Sequence, residues 1–211
     1  MIKRDLNVDH GLLVENLSDP AHVPFTHKET IGRFARAEER SILMDVKYDS
    51  TNASSEEEFK EMEDRRPDYV PQRTAAVVVE ITYPDRKEEW KRTQPMAFIA
   101  PCATRFTGAM TKTVHMTQVH FSIPITKTKS RLFVLLCYHG FFPPARILPQ
   151  RFNEWFNNKV IDEDVHLLAG QQNNLWKGAN PWHSTVSADK IGVRYRKWRR
   201  RQEKTLPIWF R

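Results

Sequence analysis

Apolar residues recur along the chain with two different periods, and the switches between them mark its elements. From Leu12 to His27 the spacing is helical, with Leu13, Leu17 and Ala21 in step until Pro24 disturbs it. Ile42–Tyr48 and the β-branched run Ala75–Tyr83 predict strands, and Met96–Phe106 predicts another. Val114–Ile125 and Arg131–His139 flank Thr126–Ser130 and predict a β-hairpin. Phe141–Pro149 reads as a proline-rich connection, and Arg151–Trp176 carries the longest helical pattern. Ile191–Arg201 is expected to run from a strand into a helix. Ser54–Arg66 holds Glu56, Glu57, Glu58, Glu61, Glu63 and Asp64, and is expected to be an exposed loop or insertion without chemistry. No internal repeat or low-complexity tract interrupts the pattern. The sum is an α+β domain, an antiparallel sheet with one long helix against it.

Composition narrows this picture. The 211 residues, 40% hydrophobic and 28% charged, suffice for one domain with a core. Two cysteines, Cys102 and Cys137, are too few for a disulfide framework and suit a reducing compartment. Met1–His10 is charged and lacks the apolar centre of a secretory signal. The longest apolar stretch, Leu132–Leu148, is interrupted by His139, Arg146 and prolines, so no membrane-spanning segment is expected. The net charge is +7, and much of it sits in Lys190, Arg194, Arg196, Lys197, Arg199, Arg200, Arg201 and Lys204. Such a run is most often a solvated helix face. With Tyr195 and Trp198 interleaved it also admits stacking on nucleic acid, or contact with an anionic membrane surface or an acidic protein. The core-like pattern of Asp5–Val14 so near the start suggests a fragment or a split polypeptide.

Chemistry concentrates in two places. NLSDPAHVPFTH at Asn16–His27 packs an amide, a carboxylate and two imidazoles together. Asp19 and His22 are three apart, so on a helix they share a face. A carboxylate on one imidazole nitrogen fixes the tautomer and leaves the other for a metal. His22 and His27 would diverge by roughly 140° on a straight helix, and Pro24 is expected to break the ladder and let His27 swing back. A pair of histidines is by itself more often structural.

The second place is the long helical pattern. Phe152, Trp155, Phe156, Val160, Leu167 and Leu168 trace one side, and Asp164 falls in their row. Asp162 is expected on the opposite side, near Asn158, Lys159 and His166, and Glu163 on the flank. A buried carboxylate needs a partner, either a buried Arg or Lys or a metal. Two histidines and one carboxylate with open positions are the facial triad of non-heme Fe(II) oxygenases.

The spacing of Asn16, Asp19, His22 and His27 resembles the iron motif of the Rieske non-heme iron oxygenases, and Asp164, followed by Gln171 and Gln172, stands where that family places its third ligand. GLLVENLSDPAHVPFTH at Gly11–His27 is similar to the branch that oxidises chlorophyllide a and pheophorbide a. So are LLAGQQ at Leu167–Gln172, GAN at Gly178–Asn180, DKIGVRYRKWR at Asp189–Arg199 and the Ala100-Pro101-Cys102 element. The terminal block is most like chlorophyllide a oxygenase. The likeness spans nearly the whole chain and is patchy over Glu38–Lys91.

This resemblance implies a helix-grip (START-like) fold, a curved antiparallel sheet around a long C-terminal helix, over residues 1–211 as one mononuclear iron catalytic domain. It implies Fe(II) on His22, His27 and Asp164, with O2 as co-substrate and a chlorophyll-type tetrapyrrole oxidised at a ring methyl or opened at a bridge. Asp19 would link the iron to a Rieske [2Fe-2S] cluster in a neighbouring subunit, and Asn16 would lie near the iron. Trimers, a ferredoxin upstream and a chloroplast location follow, with peripheral membrane contact as a further option. The cluster itself needs C-x-H and C-x-x-H; Cys137-Tyr138-His139 meets the first formula by accident, and Cys102-Ala103-Thr104-Arg105 fails the second. A separate domain or chain must then supply it. Met116, Gln118 and His120 share one strand face and either line the substrate cavity or are ordinary core and surface residues. The alternative to an enzyme is a pigment- or lipid-binding module that retains the motif as a relic.

Overall fold

The computed structural model describes residues 1–34, 41–85, 93–109, 113–140, 149–180 and 183–205. Seven antiparallel strands form one sheet: β1 (Ile2–Leu6), β2 (Leu43–Asp49), β3 (Ala76–Thr82), β4 (Gln94–Ile99), β5 (Ala103–Ala109), β6 (His115–Thr126) and β7 (Lys129–His139). Their order is β1-β7-β6-β5-β4-β3-β2. Strands β2 to β7 therefore meander, each beside its sequence neighbour, while β1 closes the far edge against β7. The chain must cross the sheet between β1 and β2. That crossing holds helix α1 (His10–Leu17), a 3-10 turn (Pro20–His22), the short helix α2 (Val23–Thr26) and a second 3-10 turn (Ile31–Phe34).

Three further helices stand among the described residues. α3 (Glu56–Glu63) lies between β2 and β3, α4 (Gln150–Trp176) follows β7, and α5 (Lys190–Thr205) ends the described chain. Leu12 and Leu13 of α1 and Ile161 and Leu168 of α4 pack with Leu132 and Val134 of β7. Tyr195 and Ile191 of α5 pack with Val77, Val79 and Phe98 on the same face, and Val14 joins them from α1. Tyr48, Val70, Ala76, Val78 and Ala97, with Met62 and Tyr69, form a third cluster on the other face. Buried on both sides at this end, β3 reads as a continuous β-branched run, as such strands do.

The predicted strands at Ile42–Tyr48 and Ala75–Tyr83, the Val114–His139 hairpin and the long helix are all present. The hairpin turns on residues 127–128. Elsewhere the structure corrects the pattern. Met96–Phe106 is not one strand; β4 and β5 pair with each other, Ile99 against Ala103, around Pro101, which has no N–H to give a ladder. Ser54–Arg66 is not a loop. The Ser55 side chain caps α3 by accepting from the Glu58 N–H at 3.1 Å, and three glutamates in the first turn complement the helix dipole. Ile191–Arg201 is helical throughout, because Ile191, Tyr195 and Trp198 recur on one side and pack beside Phe98. The connection over 141–148 lies outside the described residues.

The buried row of α4 also differs from the one expected. Ile161, Asp164, Leu168 and Gln172 are buried, whereas Phe152, Trp155 and Leu167 are exposed. The aromatic first turns of α4 stack on one another instead, Phe152 on Phe156 at 6.5 Å between ring centres. Gly178, with φ +85°, ends the helix in the left-handed conformation that glycine adopts without strain.

Candidate metal centre

The crossing segment is shaped by a series of local caps. The Asp9 carboxylate accepts from the N–H groups of Gly11 and Leu12 and starts α1. Asp19 starts the next turn in the same way, its Oδ1 accepting from the Ala21 N–H at 2.8 Å. The helical course therefore breaks at Ser18–Asp19, earlier than Pro24. Pro24 sits in the first turn of α2, where a missing N–H leaves nothing unsatisfied. What turns His27 inward is its own backbone, at φ −90° and ψ 44°, as it caps the end of α2. Gly32 then folds back against this turn so closely that a Cβ there would meet the Val23 carbonyl oxygen at 2.4 Å and that of His27 at 2.7 Å.

These turns bring His22 and His27 together, and α4 delivers Asp164 to the same point. His22 Nε2 lies 3.3 Å from His27 Nε2 and 3.4 Å from Asp164 Oδ1, and His27 Nε2 lies 3.3 Å from that oxygen. The three atoms form a nearly equilateral triangle. Ligands about 2.1 Å from one ion at right angles stand about 3.0 Å apart, so the triangle matches three ligands on one face of a metal with slight opening. Among the described residues this is the one group of three His, Cys, Asp or Glu side chains close enough to share an ion.

The electrostatics favour positive charge at this point. His27 Nδ1 is 3.0 Å from Glu163 Oε2, an acceptor, which assigns the proton to Nδ1 and leaves the Nε2 lone pair inside the triangle. Asp164 Oδ1 is buried without a hydrogen-bond partner. Burial pulls the His22 imidazole toward neutrality, but Asp164 and Asp19 outweigh it and hold its pKa at about 9. His27 thus offers one lone pair, and Asp164 and Asp19 favour positive charge at His22, which a proton on its ring or a metal ion in that proton's place supplies.

Asn16 is buried in the last turn of α1, and its Nδ2 has no partner among the described residues. Asp19 Oδ2 lies 3.7 Å from His22 Nδ1, close enough for charge attraction but beyond a hydrogen bond. Both residues line a cleft of about 180 Å³ with Gln171, Ser184, Thr185 and Arg196. A neighbouring cleft of about 230 Å³ shares Glu15 and Arg196 with it and is walled by those two and by the paired Asp9 and Arg199. Gln172 faces inward and accepts from the Asp9 backbone N–H at 2.7 Å.

Strand register sets Met116, Gln118 and His120 opposite Tyr138, Leu136 and Val134, hence on the face that carries the helices. His120 is buried, and its Nδ1 meets Thr104 Oγ1 at 3.2 Å. Burial holds its pKa down at about 4, against the opposing charge of Asp164. Cys137 and Cys102 are both free thiols, and Cys137 is exposed. Sequence reasoning missed Glu163. It does not lie idle on the flank but grips the His27 turn; the adjacency to Asp164 and the His27-x-x-Thr30 spacing were the available signals.

Residues 6–205 match the family model described as the vanillate O-demethylase oxygenase C-terminal domain. The chain is 36% identical over 197 residues to chlorophyllide a oxygenase of Arabidopsis thaliana, covering 92% of this chain and 32% of that protein. It is 27% identical over 229 residues to pheophorbide a oxygenase of the same plant, covering 99% and 38% respectively. The chain thus spans about a third of the length of these relatives. Both are chloroplastic proteins, which supports a chloroplast location here. In fold the chain is similar to dicamba monooxygenase, with a TM-score of 0.62 and 14% identity over 96% of this chain and 58% of that one. A match over nearly its full length makes the chain a member of the vanillate O-demethylase oxygenase C-terminal domain family, the catalytic domains of Rieske-type oxygenases.

Proposed function

We propose that residues 1–211 form the mononuclear iron domain of an oxygenase that oxidises a chlorophyll-type tetrapyrrole, chlorophyllide a or pheophorbide a. The observation that carries this reading is the triangle of His22 Nε2, His27 Nε2 and Asp164 Oδ1, with sides of 3.3–3.4 Å. Those three atoms would hold Fe(II), whose open positions supply O2 activation beside the substrate. Hydroxylating a C–H bond places one oxygen atom in the product and releases the other as water. That balance needs two electrons and two protons, which this chain cannot store. A Rieske [2Fe-2S] centre on another domain or chain would deliver the electrons, with a ferredoxin upstream.

The chain's own residues orient and exclude. Asp19 faces the outer nitrogen of His22 from the cleft it shares with Asn16, and this is the side from which the donor would approach. His120, buried opposite Val134 of β7, is held neutral on the helix-bearing face. The seven-stranded sheet with α4 against it supports the helix-grip assignment, and the reading carries with it a homo- or hetero-trimer in which a donor subunit would lie beside Asp19. No described helix is long and apolar enough to cross a membrane.

The test is the iron content of anaerobically reconstituted protein, wild type beside Asp164→Ala. About one iron per chain in the wild type, lost in the variant, is expected. Iron in neither would overturn the oxygenase reading and leave a pigment- or lipid-binding module.

A further inference from the structure

The proposed function uses three ligands and Asp19, and leaves one part-buried carboxylate beside them, Glu163, without a task. Glu163 precedes Asp164 on α4, so the two side chains diverge by about 100° around the helix. Asp164 enters the triangle, and Glu163 turns to the segment that carries His27. Its Oε2 accepts from His27 Nδ1 at 3.0 Å and from the Thr30 hydroxyl. Its Oε1 accepts from the Glu29 backbone N–H at 3.0 Å. Three donors within four residues converge on one carboxylate whose side chain is 14% exposed, beside an imidazole that is 3% exposed. One turn earlier on α4, Lys159 reaches the Glu29 carboxylate at 3.3 Å, so the same helix face grips this segment twice.

We infer that Glu163 is a positioning residue for the metal centre: its carboxylate keeps the proton of His27 on Nδ1 and aims the Nε2 lone pair at the point shared with His22 and Asp164. This rests on the metal-centre reading above. The contrast with His22 strengthens it. The outer nitrogen of His22 is 3.7 Å from its carboxylate, whereas that of His27 is in full hydrogen-bond contact. The clamp on His27 is therefore the tighter of the two. It comes from the helix that also supplies a ligand, so one rigid element sets two corners of the triangle.

Glu163→Gln separates this role from a merely structural one. An amide has a single acceptor oxygen and an NH2 donor. With the donor against Nδ1, His27 takes the Nε2–H tautomer and offers no lone pair to a metal. Thr30→Val is the control, because it removes one donor from the carboxylate and leaves the contact with His27. The full chain and both variants would be prepared metal-free. Fe(II) affinity would be measured anaerobically by competition with a chromophoric chelator, the thermal midpoint without metal, and the electron paramagnetic resonance spectrum of the nitric oxide adduct.

Glu163→Gln is expected to weaken Fe(II) binding by about 10–100-fold and to alter the spectrum, while Thr30→Val keeps both as in the wild type. Unchanged affinity and spectrum in Glu163→Gln would overturn the inference. So would equal losses of affinity in both variants that track their losses of metal-free stability. Should Glu163→Gln not fold, Glu163→Asp withdraws the carboxylate by one methylene; weakened affinity at wild-type metal-free stability supports the role, and unchanged affinity refutes it. Failure of the wild type itself to bind Fe(II) is a different result, which overturns the metal-centre reading and this inference with it.

Discussion

His120 shows how one buried side chain leaves a mark on the pH dependence of the whole protein. Its folded pKa of about 4 lies below the ordinary histidine value of 6.5, because burial disfavours the charged ring more than Asp164 favours it. As pH falls through 6.5 the unfolded chain takes up this proton and the folded chain does not. The contribution is therefore full above pH 6.5 and is lost as pH falls toward 4. The shift corresponds to roughly 3 kcal/mol at most. We predict that His120→Gln flattens the fall in thermal midpoint between pH 6.5 and 4.5 relative to the wild type; parallel curves would show that His120 does not carry it. Residues at this scale were partly legible. His22, His27 and Asp164 announced themselves by type and spacing, because a carboxylate in an apolar row demands a partner. Thr104 did not, Glu163 was placed on the flank and His120 only on a strand face, because the partners that give each its task lie on other elements.

Elements meet at Asp9, which begins α1 and also binds α4 and α5. Its carboxylate caps α1, and Arg199 of α5 donates to it at 2.6 and 3.1 Å while also reaching Glu203 at 2.7 Å. Gly11 permits this approach, since a Cβ there would lie 1.8 Å from an Arg199 nitrogen. Asp9→Asn retains the cap and removes the charge, whereas Asp9→Ala removes both. We predict losses of about 1 kcal/mol and about 2–3 kcal/mol respectively in urea denaturation. Equal losses would mean that the cap contributes nothing. Period and turn residues sufficed for the strands and the long helix. They failed where a second cause prevailed: a proline turning β4 into β5, a serine cap hidden in an acidic run, and a helix whose strand-like letters serve a helical stripe.

At the scale of the whole molecule, the basic run at the end of the chain turns out to hold the fold together. Arg194 pairs with Asp49 at 2.8 Å, Arg196 with Glu15, and Arg199 with Asp9. Each cation spent on a carboxylate of the same chain is withdrawn from any phosphate. Fluorescence anisotropy with a single-stranded oligonucleotide at low salt is expected to show no saturable binding, and tight binding that weakens steeply with salt would refute this reading. The topology carries one more consequence. His27 and Glu163 of α4 stand 136 positions apart, on segments that meet only because β1 pairs with β7 and the chain recrosses the sheet. A site closed by contacts so distant in sequence is completed late in folding. Before that, an ion would find two imidazoles from one short segment and no third ligand. Loading should therefore follow folding, and the bound ion would then link the two ends of the sheet's connectivity as a reversible cross-link, slowing the escape of α4 from the rest of the molecule.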